Sequence, residues 1–533
     1  MISGNALWGK EITTDMSFQS LNGKAFYTYE SMPSNLYDML SETADKSPMH
    51  IALIDNQGIE YTYISLLKLA DQFASYLTDR IKVEKGAHAA LMMYNSVEFC
   101  VSFLALCKIG AVTVPLPSKY KEAEVVSLAD KADLNLILCD ENFYNYFSRF
   151  EHSGVKIIKS VNSDQGYGFS HLDLENLPPC KSSGILSDPV MIMFTSGTTS
   201  GSKGVLIRNY NMMHAIISYH RILQITEEDK SILATPIYHI TGIVALFGLF
   251  VYAGGTLYLH RTFNAARVLT CVKDNNVTLL HASPTVFSML LEERDNFMEL
   301  PSLKTFACGS SNMAAATLTR LHDWLPHTAF HTVYGLTETT SPATIFPSDA
   351  CTSPYIGSSG LPIPGVEVKI VAEDKSELPC NEVGEILLRG SVVIDQYYNL
   401  PSSDFFEDGW LATGDLGYLN SEHYLYIVDR KKDMINRGGE KIWSFDIENE
   451  IGKIPGVLET AVVGAADEKY GEVPVAVVRM SPGYHTSAEE IKAVLKPRLA
   501  GFQIPQAIIF VDSIPKTPND KVDKKYIRDQ LKE

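Results

Sequence analysis

The sequence is poor in features that would tie it to a metal cage, a membrane or a polyanion. Its eight cysteines (Cys100, Cys107, Cys139, Cys180, Cys271, Cys308, Cys351, Cys380) include no C-x-x-C pair and no metal-ligand spacing. That pattern argues against a metal cage, and because several lie in apolar runs most read as small buried hydrophobes in a reducing compartment. Basic residues are outnumbered, 45 Lys and Arg against 63 Asp and Glu, leaving a net charge of −18. Such an acidic surface argues against nucleic acid or an anionic membrane as partner, so an anionic ligand must be gripped by a few local cations. Met1-Ile2-Ser3-Gly4-Asn5 shows no basic stretch leading into an apolar one, and the expectation is no signal peptide and a cytoplasmic location. The most apolar run, residues 243–259, is interrupted by Gly248, Gly254 and Gly255, and it falls short of a transmembrane segment. A buried helix followed by a strand is the better reading. No internal repeat or low-complexity segment is present.

What is there is a long chain of ordinary globular composition. With 533 residues, 45% apolar and 20% charged, it is too large for one core and implies two or more domains. Short apolar runs alternate with helical patterns over most of the first 400 residues. Residues 89–93 and 112–115 read as strands flanking a helix over 96–108. Residues 277–280 lead into Ser283-Pro284, a capping residue followed by proline at the first helical position, with a helix through Leu291. This alternation predicts an α/β fold of parallel sheets with helices on their faces. From about residue 361 the texture changes to hairpins. After the five charges Asp429-Arg430-Lys431-Lys432-Asp433 a compact α+β pattern fills the last hundred residues, with a capping box at Ser487-x-x-Glu490. The boundary is placed in that charge run: residues 1–429 as one domain, 430–433 as hinge, 434–533 as a second.

The most telling segment is Thr195-Ser196-Gly197-Thr198-Thr199-Ser200-Gly201-Ser202-Lys203-Gly204, between the apolar runs 190–194 and 205–207. Backbone N–H groups, short hydroxyls and one lysine on a loop suit a polyphosphate. The common P-loop is rejected, because Ser202 stands at its second glycine, Gly204 follows Lys203 where a hydroxyl is needed, and a strand follows instead of a helix. A plain Ser/Gly/Thr surface hairpin remains the alternative on this segment alone. Further polar loops follow strand ends, where ligands of α/β folds gather. They are Tyr334-Gly335-Leu336-Thr337-Glu338-Thr339-Thr340, Thr413-Gly414-Asp415, the Arg430 segment, and Pro515-Lys516-Thr517-Pro518-Asn519-Asp520-Lys521.

In this order and spacing the motifs resemble the adenylate-forming enzymes: acyl-CoA synthetases, peptide-synthetase adenylation domains and beetle luciferases. The likeness runs from about residue 35 to 530. It implies a large N-terminal domain of stacked mixed and parallel sheets with a β-barrel-like part, and a small mobile α+β C-terminal domain. It also implies an ATP- and Mg²⁺-dependent ligase that activates a carboxylic acid as acyl-AMP and passes it to CoA. A pantetheine on a carrier protein is the alternative acceptor, and a catalytically silent nucleotide sensor the non-enzyme alternative.

By that resemblance the loop with Thr195, Ser196, Gly197, Thr198, Thr199, Ser200 and Lys203 grips the β- and γ-phosphates. Ser310, Ser311 and Asn312 line the adenine and Tyr334 stacks on it, beside Gly335. Thr337 reaches the α-phosphate, Glu338 holds Mg²⁺, Asp415 accepts from the ribose hydroxyls, and Arg430 touches the ribose. Lys521 bridges the substrate carboxylate and the α-phosphate, with Lys516 as its rival. Lys432 is the expected pivot, Gly438 and Gly439 line the pantetheine tunnel, and Lys441 steadies a phosphate. His239, Cys308 and Gly309 border the acyl group, although a satisfied core histidine is the plainer reading of His239. The lining suits medium-chain, aryl or alicyclic acids without an α-amine. Asp520, where the family has glycine, and Phe502-Gln503-Ile504-Pro505 depart from the pattern.

Overall fold

A computed structural model of the chain describes residues 1–161, 167–195, 202–309, 313–517 and 521–532, with Asp404 described by its backbone alone. Two sheets dominate residues 1–360. One has six strands in the order Gly204–Arg208, Pro189–Phe194, Val112–Pro115, His88–Met92, Leu136–Asp140, Lys156–Ser160, parallel except for the first pair. The other has nine strands, with a parallel centre running from Ala329–Tyr334 through Thr305–Cys308, Leu279–Ala282, Lys230–Leu233 and Thr256–Leu259 to Ile51–Ile54. Covered on both faces, such strands read as continuous apolar runs, as Ala89-Ala90-Leu91-Met92 does.

The helix Val97–Ile109 shows how the sequence sets its bounds. The Ser96 side chain accepts the Phe99 N–H at 3.2 Å, and Gly110 ends the helix at φ +76°, a conformation only glycine adopts without strain. Apolar residues lie all round it, so the helix is buried between its neighbours. Phe103 is fully buried there. Truncating such a ring to alanine costs about 3–5 kcal/mol.

One side chain stitches the two sheets together. Asn95, just past the strand His88–Met92, directs its Nδ2 to the carbonyls of Leu233, Thr235 and His260 at 2.9–3.0 Å, and its Oδ1 accepts the Ile237 N–H at 2.8 Å. An amide carries only two N–H donors, so the three carbonyls share them.

The hairpin-rich part is a six-stranded antiparallel sheet built on Val366–Val371, Gly384–Gly390, Trp410–Leu419 and Leu425–Arg430, with Ile2–Ser3 and Phe406–Glu407 at its edges. The small C-terminal domain has five strands, with the helices Ser444–Gly452 and Ala488–Leu495 packed on them. Ser487 and Glu490 form the expected capping box.

Two local expectations shift. The strand read at 277–280 forms at Leu279–Ala282, and Thr278 just before it donates its hydroxyl to Asp229 Oδ1 at 2.8 Å. The helix and strand read within residues 243–259 are present, but the helix begins as a π-helix over Thr241–Gly248 before becoming α-helical at Leu249–Ala253, with the strand at Thr256–Leu259. The charge run 429–433 is not simply a solvated link. Asp429 and Asp433 are buried, Arg430 pairs with Asp415, and Arg528 pairs with Asp433 at 2.9 Å.

Candidate active site

The strand ends converge on a cavity of about 650 Å³. Pro115, Phe194, Ala234, Ala282, Gly309 and Gly335 reach it from the C-terminal edges of six parallel-sheet strands, where α/β folds place their ligands. Lys119, Arg261, Arg430, Lys432 and Lys521 line it as cations, against Glu338 as the lone carboxylate among the described lining residues. In a chain of net charge −18 that is a local reversal of sign, and it draws anions.

Lys521 enters this cavity from the C-terminal domain. It keeps accessible surface because it forms part of the wall, yet protein encloses it closely. Enclosure lowers its pKa to about 8; Arg430 adds to the fall, while Asp415 and Glu338 oppose it. Its rival Lys516 is absent from the lining. Its ammonium donates to Thr285 of the large domain at 2.9 Å and pairs with Glu459. Lys516 docks the domain, and Lys521 faces the site.

Thr337 and Glu338 open a short 3-10 turn after the strand Ala329–Tyr334, and both line the cavity. Gly335 before them is required, because a Cβ there would run into the Ser341 carbonyl. Glu338 Oε1 accepts the Tyr397 hydroxyl at 3.0 Å. Lys203 lies over the Tyr397 and Phe405 rings, its ammonium 5.2 and 4.1 Å from their centroids, and Tyr397 is the residue whose hydroxyl Glu338 accepts. No group of three or more His, Cys, Asp or Glu side chains able to hold a metal occurs among the described residues. One carboxylate in a cationic cavity nonetheless fits Mg²⁺, which is often held by a carboxylate or two together with substrate phosphates.

Asp415 is buried and doubly engaged. Tyr334 donates its hydroxyl to Oδ2 at 2.8 Å, and Arg430 Nε reaches Oδ1 at 3.0 Å. Burial raises the Tyr334 pKa well above its ordinary value, and Asp415 adds to the rise. Burial works against the Arg430 charge, but Asp415, Tyr334, Asp433 and Glu338 together outweigh it and hold the guanidinium pKa up. Tyr334 itself is packed behind the cavity rather than on its lining.

His239 lies on the wall near Lys521 and Lys119, and burial together with those two cations brings its pKa down to about 3. Gly309 lines the cavity as expected for an acyl contact, but Cys308 does not. Side chains alternate along the strand Thr305–Cys308, so Cys308 falls with Phe306 in a separate apolar cluster. The cavity floor carries a residue the sequence reading missed, His281. Its ring packs on Tyr219 (centroids 5.7 Å apart), whose hydroxyl pairs with Ser341 Oγ at 2.9 Å. The Ala245 carbonyl approaches the ring but falls short of hydrogen-bond geometry, so neither nitrogen has a partner among the described residues. Burial lowers the His281 pKa to about 4. A histidine inside the apolar run Leu279-Leu280-His281-Ala282 was the available signal.

Other expected residues stand apart from the cavity. Gly438 and Gly439 form an exposed turn with φ +62° and +97°, and Lys441 pairs with Glu373 of the large domain at 2.9 Å. Thr195 and Lys432 line the cavity. Ser196, Gly197, Thr198, Thr199, Ser200, Ser310, Ser311, Asn312 and Asp520 lie outside the described residues.

A lysine from the C-terminal part of the chain in a cation-lined cavity at strand ends is the arrangement expected of a nucleotide-dependent ligase, and known proteins show the class. Residues 40–398 match the family model described as AMP-binding enzyme, and residues 446–521 match the AMP-binding enzyme C-terminal domain. The 2-succinylbenzoate–CoA ligase of Bacillus subtilis is 31% identical, covering 93% of this chain and 97% of that protein. A Rhodococcus jostii 3-[(3aS,4S,7aS)-7a-methyl-1,5-dioxo-octahydro-1H-inden-4-yl]propanoyl:CoA ligase is 29% identical, covering 90% of this chain and 96% of that protein. The solved o-succinylbenzoate CoA synthetase of Bacillus subtilis superposes with TM-score 0.81 at 30% identity in its acyl-adenylate complex, covering 93% of this chain and 98% of that one. In its complex with ATP and magnesium ion the score is 0.78 at 29% identity, covering 93% and 99%. The chain belongs to the AMP-binding, adenylate-forming enzymes. Within them it is an AMP-forming acyl-CoA synthetase that uses ATP, Mg²⁺ and CoA.

Proposed function

We propose that this ligase joins a carboxylic acid to free CoA in two half-reactions through an acyl-AMP. The carrying observation is Lys521, brought by the C-terminal domain into the cavity that Thr337, Glu338 and Arg430 line. In the first half-reaction a substrate carboxylate oxygen attacks the α-phosphorus and pyrophosphate leaves. Two unit charges about 4 Å apart repel by about 4 kcal/mol at an intermediate dielectric, so a fixed cation between them lowers the barrier. Lys521 supplies that cation, and Thr337 donates to the α-phosphate. Asp415 accepts from the ribose, with Tyr334 and Arg430 holding its orientation. Lys203 swings from its aromatic shelf to the outer phosphates. Magnesium, when bound at Glu338, neutralises phosphate charge. In the second half-reaction the CoA thiolate attacks the acyl carbonyl and AMP leaves. The C-terminal domain turns about Lys432 between the two, withdrawing Lys521 and presenting Gly438 and Gly439 to the pantetheine.

The acid enters past His239 toward Gly309. A bounded cavity floored by Tyr219 and His281 suits aryl, alicyclic or medium-chain acids better than very long chains. The names of the two curated relatives, a succinylbenzoate ligase and a ring-bearing propanoyl ligase, support that choice. The test is a panel of such acids with ATP, Mg²⁺ and CoA, read by AMP and pyrophosphate release. Acid-dependent AMP formation is the expected result. ATP cleaved only to ADP and orthophosphate across the panel overturns the reading.

A further inference from the structure

We propose that Asp429 is a positioning residue for the first half-reaction: it caps a helix of the C-terminal domain across the hinge and so holds Lys521 in the cavity. Asp429 lies in the strand Leu425–Arg430, paired with Leu416 in the large-domain sheet. The first helix beyond the hinge, Ser444–Gly452, begins after Trp443, whose side chain has no oxygen with which to cap it. Helix N-termini leave N–H groups that need an acceptor, preferably an anionic one. Asp429 provides it. Its Oδ2 accepts the Ser444 N–H at 2.6 Å while Oδ1 accepts the Arg430 N–H at 2.7 Å, and the side chain is buried.

The surrounding charges reinforce this tie. Lys524 donates to Ser444 Oγ at 2.6 Å and pairs with Glu448 at 2.8 Å, and it interacts with Asp429 and Asp433. Any turn about Lys432 that carries the helix away from the strand breaks the Asp429–Ser444 bond and leaves the helix start open. The contact therefore favours the arrangement in which Lys521 faces the cavity. This inference rests on the two-step reading with a turning domain.

The test compares Asp429→Ala, Asp429→Asn and Ser444→Pro with the wild type in three assays. They are acid-dependent ATP–pyrophosphate exchange, thioester formation from supplied acyl-AMP and CoA, and thermal unfolding. Asp429→Ala is expected to slow exchange by about 10-fold, the equivalent of losing one helix cap, with no matching loss in the thioester step. Asp429→Asn keeps an acceptor oxygen and should recover most of the exchange. Ser444→Pro removes the donor at a position where proline is tolerated, reproduces the split, and serves if Asp429→Ala fails to fold. Equal loss in both half-reactions, or no change in either, overturns the proposal. A wild type without acid-dependent exchange would instead overturn the ligase reading itself.

Discussion

Tyr334 donates its phenolic hydrogen to the Asp415 carboxylate at 2.8 Å, fixing the oxygen proposed to meet the ribose. Hydrogen bonds to charged groups contribute about 1.5–3 kcal/mol. Tyr334→Phe should lower unfolding free energy by about that amount and raise the KM for ATP, because Asp415 is then held by Arg430 alone. Chemical denaturation with steady-state kinetics checks both. An unchanged midpoint and KM would show the bond to be incidental.

Lys521 sets an alkaline limit. Its pKa of about 8 leaves the ammonium charged below that pH and neutral above it. The kcat/KM of the adenylation half-reaction, which reports free-enzyme groups, should therefore hold below about pH 8 and fall as pH rises through it. Lys521→Arg keeps its charge throughout, so its profile should lose the alkaline limb, whatever its absolute rate. Lys521→Ala should abolish adenylate formation yet spare thioester formation from supplied acyl-AMP. An alkaline limb retained in the arginine variant would assign the titration to another group.

Glu338 is the metal-facing carboxylate of the proposal. Glu338→Gln should lower adenylation kcat by about 10²–10³, the scale of removing one electrostatic contact to the reacting group, and raise the Mg²⁺ concentration needed for half-maximal rate. Tyr397→Phe, which removes only the hydroxyl held by Glu338 Oε1, should shift that requirement less. Magnesium titrations of exchange activity separate the two. An unaltered Mg²⁺ requirement in Glu338→Gln would place the ion elsewhere.

His281 offers a stability test. A buried imidazole with neither nitrogen partnered among the described residues carries a desolvation penalty of about 1–3 kcal/mol. His281→Leu should raise the unfolding free energy of the ligand-free protein by up to that amount, seen as a higher Tm. A lower Tm would mean that the ring's packing on Tyr219 outweighs the unmade bonds.

The architecture was legible because its signals are local and repeated. Ser96, Gly110 and the Ser487 box mark helix ends by side-chain chemistry alone, and runs such as residues 89–93 announce doubly covered strands. The site was legible only as ordered motifs, since loops at strand ends gather residues distant in sequence. Cys308 illustrates the limit: whether it faces the ligand or the core depends on pleat phase, which flips with each residue. His281 shows the same blindness from the other side, a polar residue within an apolar strand whose surroundings come from the Asn209–Leu223 helix. Charge runs mislead as well, because Asp429 and Asp433 look solvated until their partners, Ser444 and Arg528, arrive from beyond the hinge.

Asn95, on the cavity lining, fastens one sheet to the other through four contacts from a single amide. Widening the gap between the slabs at this point therefore forfeits several bonds at once. Under the proposed reading, discrimination among acids works like a stiff gauge, and altering the range of accepted guests by engineering begins with the walls rather than with this rivet.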